Sequence, residues 1–367
     1  MLFNTISFWI FLLLVWTAYF ALPKRRRWWV LLVASLYFYM AWRPEYVLLL
    51  VWSALIDFVV AKQLQHTAHR FRWLLASLVS NLGLLFVFKY WGFAQQSFSD
   101  ALALAGVQWT PANLGLLLPV GISFYTFQTL SYTIDVYRGT LAAERNWSRF
   151  LLFVSYFPQL VAGPIERASN LLPQLAAGSR LDGGRVISGM QLAMWGLFKK
   201  TVIADRLGVY VDGIYLAPEQ YNGPTLLLAT WAFAFQIYCD FSGYTDIAIG
   251  VSRTFGFELM KNFDAPYLST SIRDFWRRWH ISLSTWLRDY LYVSLGGNRG
   301  GEWNTYRNLF LTMLLGGLWH GASWNFVIWG ALHGTFLAVS RATLDHRDRW
   351  LASSPVPPWL SNAFRVV

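Results

Sequence analysis

NLFLTMLLGGLWHGASWNFVIWGALHGTFLAVS, residues 308 to 340, contains no Asp, Glu, Lys or Arg. A helix rises about 1.5 Å per residue and the hydrocarbon core of a bilayer is about 30 Å thick, so about 20 apolar residues suffice to cross it. This run is long enough for one span plus a turn or a broken second span, and Gly316-Gly317 is its expected break point. Outward from it, the same absence of charge recurs at residues 1 to 23, 28 to 42, 73 to 88, 101 to 134, 150 to 165 and 220 to 239. Charges clustered between long neutral stretches are the arrangement a bilayer imposes.

The composition agrees. Only 13% of residues are charged while 56% are hydrophobic, and a soluble domain needs about 25% charge to cover its surface. Lys plus Arg exceeds Asp plus Glu by 11. In a soluble protein that surplus would suggest nucleic acid, but here its placement argues for a membrane, and no nucleic-acid partner is expected. Lys24, Arg25, Arg26 and Arg27 follow the first neutral run, and Lys62, Arg70 and Arg72 follow the third, whereas the intervening connection offers only Arg43 beside Glu45. Alternate loops are thus basic, which puts the 24 to 27 loop in the cytoplasm and the N-terminus outside. Trp28, Trp29, Trp42, Tyr46, Tyr90 and Trp91 flank expected span ends, at headgroup level. The single cysteine, Cys239, excludes an internal disulfide framework and a multi-cysteine metal site.

The fold class expected is all-α, a polytopic integral membrane protein forming one domain over residues 1–367. Spans are predicted near 5 to 22, 28 to 42, 45 to 61, 73 to 89, 116 to 135, 187 to 204, 224 to 240, 309 to 319 and 323 to 340, with Leu118-Pro119-Val120-Gly121 a second break point. Residues 150 to 165 are short and interrupted by Pro158, Gly163 and Pro164. They read as re-entrant, and such a piece survives at depth only when packed in protein or lining a wet cavity. In residues 271 to 295, Ser271 with Asp274 three positions on forms a capping box, so a helix should start there. Phe275, Trp279, Leu283, Trp286 and Tyr290 then make an apolar stripe opposite Arg273, Arg277 and Arg288, the pattern of a helix lying along the interface.

Histidines in apolar sequence are the first candidates for chemistry, because an ionisable group inside a membrane is expensive. His320 stands out, with Gly316, Gly317 and Gly321 allowing close approach around it. Burial favours the neutral imidazole, the form a general base needs. Trp319, Ser323, Trp324 and Asn325 put indole, hydroxyl and amide donors beside it in sequence, a density of polar groups that cross-helix bonding alone rarely requires. His280 and His333 are also in or beside apolar sequence, and for them a structural role is the stronger reading. His66, His69 and His346 sit in charged loops. No pair of these histidines has the i, i+4 spacing of a helical metal motif, so no metal site is expected.

A second polar cluster comprises Gln236, Tyr238, Asp240, Ser242, Tyr244, Thr245 and Asp246. Two carboxylates this close in membrane-grade sequence imply a wet cavity or cationic partners. Salt bridges to Arg273, Arg277 and Arg278 are expected in preference to acid-base work. Neither a phosphate-cradling glycine loop nor a Ser nucleophile elbow is present.

LPVGISFYTFQ (118–128), YTIDVYRG (132–139), FPQLVAGPI (157–165), WGLFKK (195–200), DFSGYTD (240–246), NFDAPY (262–267), FWRRWHISL (275–283) and LWHGA (318–322), in this order, closely resemble the membrane-bound O-acyltransferase family. The branch they resemble most is the bacterial alginate O-acetyltransferase group. The resemblance implies a ring of helices around a funnel and transfer of an acyl group, typically acetyl, from a cytoplasmic donor such as acetyl-CoA to a hydroxyl outside. It also implies extracytoplasmic acetyltransferase partner proteins acting on a polysaccharide, and a place in the bacterial inner membrane. The family's signature histidine matches His320 and its second site histidine matches His280. Asn325, Ser323, Trp319, Asp240, Asp246, Gln236 and Arg277 are then the expected supporting or channel residues. Relatives usually continue with further membrane helices, whereas this chain stops at Phe364-Arg365-Val366-Val367, so a shortened form or a fragment is expected. Two other classes remain open: a transporter, which should need Asp240 and Asp246 more than His320, and a non-catalytic scaffold of an exopolysaccharide machine, in which either histidine could be changed freely.

Overall fold

The computed structural model describes residues 1–110, 115–161, 163–344 and the single positions 346, 349 and 353. Among these residues the regular secondary structure is helical, without a strand. The expected continuation at residues 364 to 367 lies outside them. The chain divides into two compact units, Met1–Ser77 with Phe127–Lys261, and Leu78–Thr126 with Asn262–Val367.

The first unit carries α1 (Ile6–Ala21), α2 (Arg27–Met40), α3 (Val47–His66) and the start of α4 (Arg70–Leu85). Later come α6 (Ile122–Arg138, whose first turn belongs to the second unit), α7 (Trp147–Ser155), α8 (Phe157–Leu160), α9 (Ala168–Ala177), α10 (Gly183–Phe198), α11 (Asp205–Tyr215) and α12 (Gly223–Phe255). Short polar side chains start several of them by accepting an N–H that the helix itself cannot use. Asn146 accepts from Arg149 N at 3.0 Å, Asp182 from Arg185 N at 2.9 Å and Asn222 from Thr225 N at 3.0 Å. At the other end, Gly256 closes α12 with φ +91°, in the left-handed region.

Backbone approach fixes how α10 crosses α12. A Cβ on Gly250 would lie 2.4 Å from the Gly189 carbonyl oxygen and 2.6 Å from Ala193 N, and one on Gly196 would lie 2.5 Å from the Gly243 oxygen. These are small-residue interfaces of the kind that holds helices together where lipid leaves little hydrophobic drive. The segment read as re-entrant is α7 and α8 joined at Tyr156, and every residue from Phe150 to Leu160 is buried. The requirement that it pack in protein is met.

Several spans differ from expectation in extent. The helix foreseen at 73 to 89 begins at Arg70 and runs through a wider π-helical stretch, Phe86–Tyr90, into α5 (Trp91–Leu104). Likewise α10 passes through a π-helical stretch, Lys199–Ala204, into α11, and α12 extends the foreseen 224 to 240 by about four turns. By length and hydropathy, the helices Pro44–His66 and Arg70–Leu104 qualify to cross a bilayer, and Ile6–Ala21 is a shorter apolar helix. Ile6, Leu13 and Leu14 of α1 and Trp231 and Phe235 of α12 are more than half exposed. A water-soluble surface carries few apolar patches of that kind.

The second unit holds the end of α4, α5, α13 (Ile272–Arg278), α14 (Ile281–Trp286), α15 (Glu302–His320) and α16 (Trp324–Ala342). The uncharged run 308 to 340 breaks at residues 321 to 323 and not at Gly316-Gly317. Those glycines lie inside α15, where a Cβ on Gly317 would meet the Phe326 carbonyl oxygen at 2.3 Å and Gly330 Cα at 2.8 Å. They let α15 and α16 close on each other. The stretch 271 to 295 is not one continuous helix either. Ser271 caps α13 as foreseen, accepting from Asp274 N at 3.1 Å, but the helix stops at Arg278 and α14 starts after His280.

Candidate functional site

His280 occupies the junction between α13 and α14 with φ +43° and ψ +55°, a left-handed conformation that costs a non-glycine residue about 1–2 kcal/mol. The residue is 1% exposed. Burial, with the His320 imidazole adding to it, pushes the His280 pKa well below its ordinary value, so the ring is neutral. His320 is the last residue of α15 and is less deeply buried. The two ring centroids are 6.1 Å apart, and Trp319 stands 5.9 Å from His280 and 5.2 Å from His320. Two imidazoles from different segments therefore stand close together, His280 buried and His320 partly exposed.

A wall of aromatics continues from them. Trp329 of α16 meets His320 edge-on at 5.1 Å and His333 at 4.5 Å, and Trp276 of α13 meets both Trp329 and His333, at 5.7 and 5.2 Å. The indole N–H of Trp276 and Nδ1 of His333 are buried without a hydrogen-bond partner among the described residues. Trp276 also lines a cavity of about 640 Å³. Arg273, Arg277, Arg288 and Arg341 border it, with hydroxyls from Ser284, Thr285 and Tyr292, and no carboxylate is among its lining residues. Such a cavity suits a ligand with several negative charges.

The end of α15 is held by two residues that the sequence reading did not single out as functional. Lys89, in the π-helical stretch, donates to the Trp319 carbonyl and, at 3.1 Å, to Ser123 Oγ, and it lies over the Trp319 ring at 5.4 Å. Tyr90 OH donates to the Leu318 carbonyl at 2.9 Å. Both carbonyls belong to the last turn of α15, where helix geometry leaves them without intrahelical donors and where a cation is favoured. One signal could have found Lys89: it is a charge at the edge of an uncharged run that ends without turn residues. Tyr90 looked like an interfacial ring.

Trp319 is with the histidines, and Arg277 is on the cavity wall. Ser323 is the N-cap of α16 but makes no side-chain capping bond, and Asn325 is exposed in the first turn of that helix. No hydrogen bond joins either to His320 among the described residues. Trp324 packs on Phe93 at 5.6 Å. Gln236, Asp240 and Asp246 all lie on α12, in the first unit.

Both carboxylates are ion-paired as expected, but with lysines and not arginines. Lys199 meets Asp246 at 2.7 Å and donates to Ser242 Oγ at 3.0 Å, while Lys200 meets Asp240 at 2.5 Å and Asp205 at 2.7 Å. Arg278 is paired with Asp274 at 2.9 Å. The glycine contacts between α10 and α12 explain the choice, since they bring the adjoining Lys199-Lys200 turn against α12. Each carboxylate thus has a lysine partner within the first unit.

The sequence is similar to those of known proteins. A family model described as MBOAT, membrane-bound O-acyltransferase family, matches residues 146–367. The probable alginate O-acetylase of Azotobacter vinelandii is 45% identical over 344 residues, covering 92% of this chain and 68% of that protein. Its counterpart in Pseudomonas aeruginosa is 45% identical, with 88% of this chain and 62% of the relative covered. The peptidoglycan O-acetyltransferase of Helicobacter pylori is 39% identical, with 85% and 64% covered. The chain thus spans about two thirds of the length of these relatives.

Proposed function

Because the chain belongs to the membrane-bound O-acyltransferase family, and is by that membership an acyltransferase of the membrane, we propose that it moves acetyl from a cytoplasmic thioester, acetyl-CoA, to a hydroxyl outside. The destination is an exported polysaccharide, reached with an extracytoplasmic acetyltransferase partner. Alginate and peptidoglycan are the polymers in the relatives' names. The chain sits in a bacterial inner membrane with its N-terminus outside, and its helices ring a funnel that the donor enters from the cytoplasm.

One observation carries the reading: His320 and His280 come together, 6.1 Å apart, from the end of α15 and the α13–α14 junction. His320, the more accessible ring, takes the proton from the acceptor hydroxyl as its oxygen attacks the thioester carbonyl. The carbon–sulfur bond breaks, and the departing thiolate recovers that proton from the imidazolium. His280, sealed behind it, orients the pair and stabilises developing charge. The arginine-bordered cavity supports the donor assignment, because CoA is a polyanion that guanidinium groups recognise. Trp276, which lines that cavity, meets Trp329, and Trp329 meets His320.

The test replaces the gene by a His320→Ala copy and measures ester-bound acetyl released from exported polysaccharide by mild alkali. Normal membrane insertion with loss of polymer acetylation is expected. Unaltered acetylation would discard the assignment.

A further inference from the structure

The left-handed conformation of His280 needs an external restraint, and the segment before α13 supplies one. Asn262 is fully buried. Its main-chain carbonyl accepts from Ile281 N at 2.9 Å, and its side-chain Oδ1 accepts from Ser282 N at 3.1 Å and from Ser282 Oγ at 2.9 Å. Two residues on, Asp264 N donates to the Arg278 carbonyl at 2.9 Å. The backbone on both sides of His280 is therefore pinned to one short segment, and the three bonds after the histidine all end on Asn262. Packing reinforces the clamp, since Phe263 meets the Trp279 ring edge-on at 5.1 Å. Without these bonds the junction would relax toward right-handed φ, and the exit direction of the His280 side chain would change with it.

We infer that Asn262 is a positioning residue, which holds His280 in the strained backbone state from which its ring faces His320. The inference rests on the proposed role of the histidine pair. Asn262 acts through the direction it imposes on His280. An asparagine suits the task. Its amide oxygen accepts both the N–H and the hydroxyl of Ser282 without bringing a charge into a fully buried position.

The experiment compares Asn262→Ala, Ser282→Ala and His280→Ala with the unaltered full chain in host membranes, at matched protein levels. Two quantities are read: ester-bound acetyl on exported polysaccharide, and the extent of diethyl pyrocarbonate labelling of individual histidines by mass spectrometry. In the unaltered chain His280 should be protected while His66 and His69, both exposed, label readily. Asn262→Ala is expected to lower acetylation roughly tenfold, the consequence of releasing a strain of the size a left-handed residue stores, and to bring His280 labelling toward that of His66. If Asn262→Ala does not accumulate, Ser282→Ala decides, because it removes one of the two hydrogen bonds to Oδ1 and keeps the other. It should lower acetylation roughly threefold, with a partial gain in His280 labelling.

Either variant present at normal level with wild-type acetylation and a protected His280 overturns the inference. His280→Ala separates this failure from that of the site reading. Wild-type acetylation in His280→Ala discards the histidine pair itself. A dead His280→Ala beside a fully active Asn262→Ala discards only the positioning role.

Discussion

Replacing Lys89 by Met keeps the length and much of the apolar stem of the side chain and removes the ammonium that ties the end of α15. Lys89 donates to the Trp319 carbonyl and to Ser123 Oγ. A hydrogen bond to a charged group contributes about 1.5–3 kcal/mol, and a cation beside a helix C-terminus about 0.3–1 kcal/mol. Part of that survives in the variant, because Tyr90 still donates to the Leu318 carbonyl. A net loss of about 2 kcal/mol is reasonable, and if it falls on the placement of His320, the next residue along, transfer should slow about thirtyfold. Lys89→Arg keeps a donor of different reach and should fall between the two. Tyr90→Phe removes one neutral hydrogen bond of about 1 kcal/mol and should slow transfer about fivefold. The assay is ester-bound acetyl on exported polymer per unit of membrane-inserted protein, which separates slower transfer from poorer accumulation. Wild-type acetylation by Lys89→Met at normal protein level would refute the claim that this lysine places the terminal turn of α15.

Two further outcomes follow from the cavity and from a buried acid. Arg277→Ala with Arg341→Ala removes two of the four guanidinium groups bordering the cavity; the acetyl-CoA concentration for half-maximal transfer in isolated membranes should rise roughly tenfold, with the saturated rate nearly unchanged. Equal half-saturation in the double variant and the unaltered chain would remove the cavity from the donor path. Glu166 is buried, accepts from Asn170 Nδ2 at 2.8 Å and from Met260 N, and its pKa is pushed up from 4.5 to about 7 by burial. The folded state then holds a proton that the unfolded chain releases, so the contribution to stability is complete below about pH 4.5 and is lost as pH rises to about 7, on the order of 3 kcal/mol. The thermal midpoint of the purified protein should fall between pH 5 and pH 8, and Glu166→Gln should flatten that fall; an equal slope in the variant would assign the pH dependence elsewhere.

Hydropathy reads neighbours along the chain, and what it showed here and what it missed divide on that ground. The helices α1, α2 and α3 were legible because each is an uncharged or nearly uncharged run closed by charged or turn residues, and the cap at Ser271 marks a helix start through a bond made within four residues. Gly316-Gly317 was misjudged because a glycine pair has two uses. Local sequence cannot tell a break from a close approach, and the deciding atoms belong to Phe326 and Gly330 on the next helix. The lysine partners of Asp240 and Asp246 were missed for the same reason, since they lie 40 and 47 residues back along the chain. His320 was legible because an imidazole inside apolar sequence is costly wherever it sits. The reach of His280 toward it was not, since that depends on one left-handed residue and on an asparagine 18 positions earlier. His320 announces itself by what an imidazole costs in apolar surroundings, whereas Asn262, Lys89 and Tyr90 are ordinary polar residues until the backbone atoms they hold are seen.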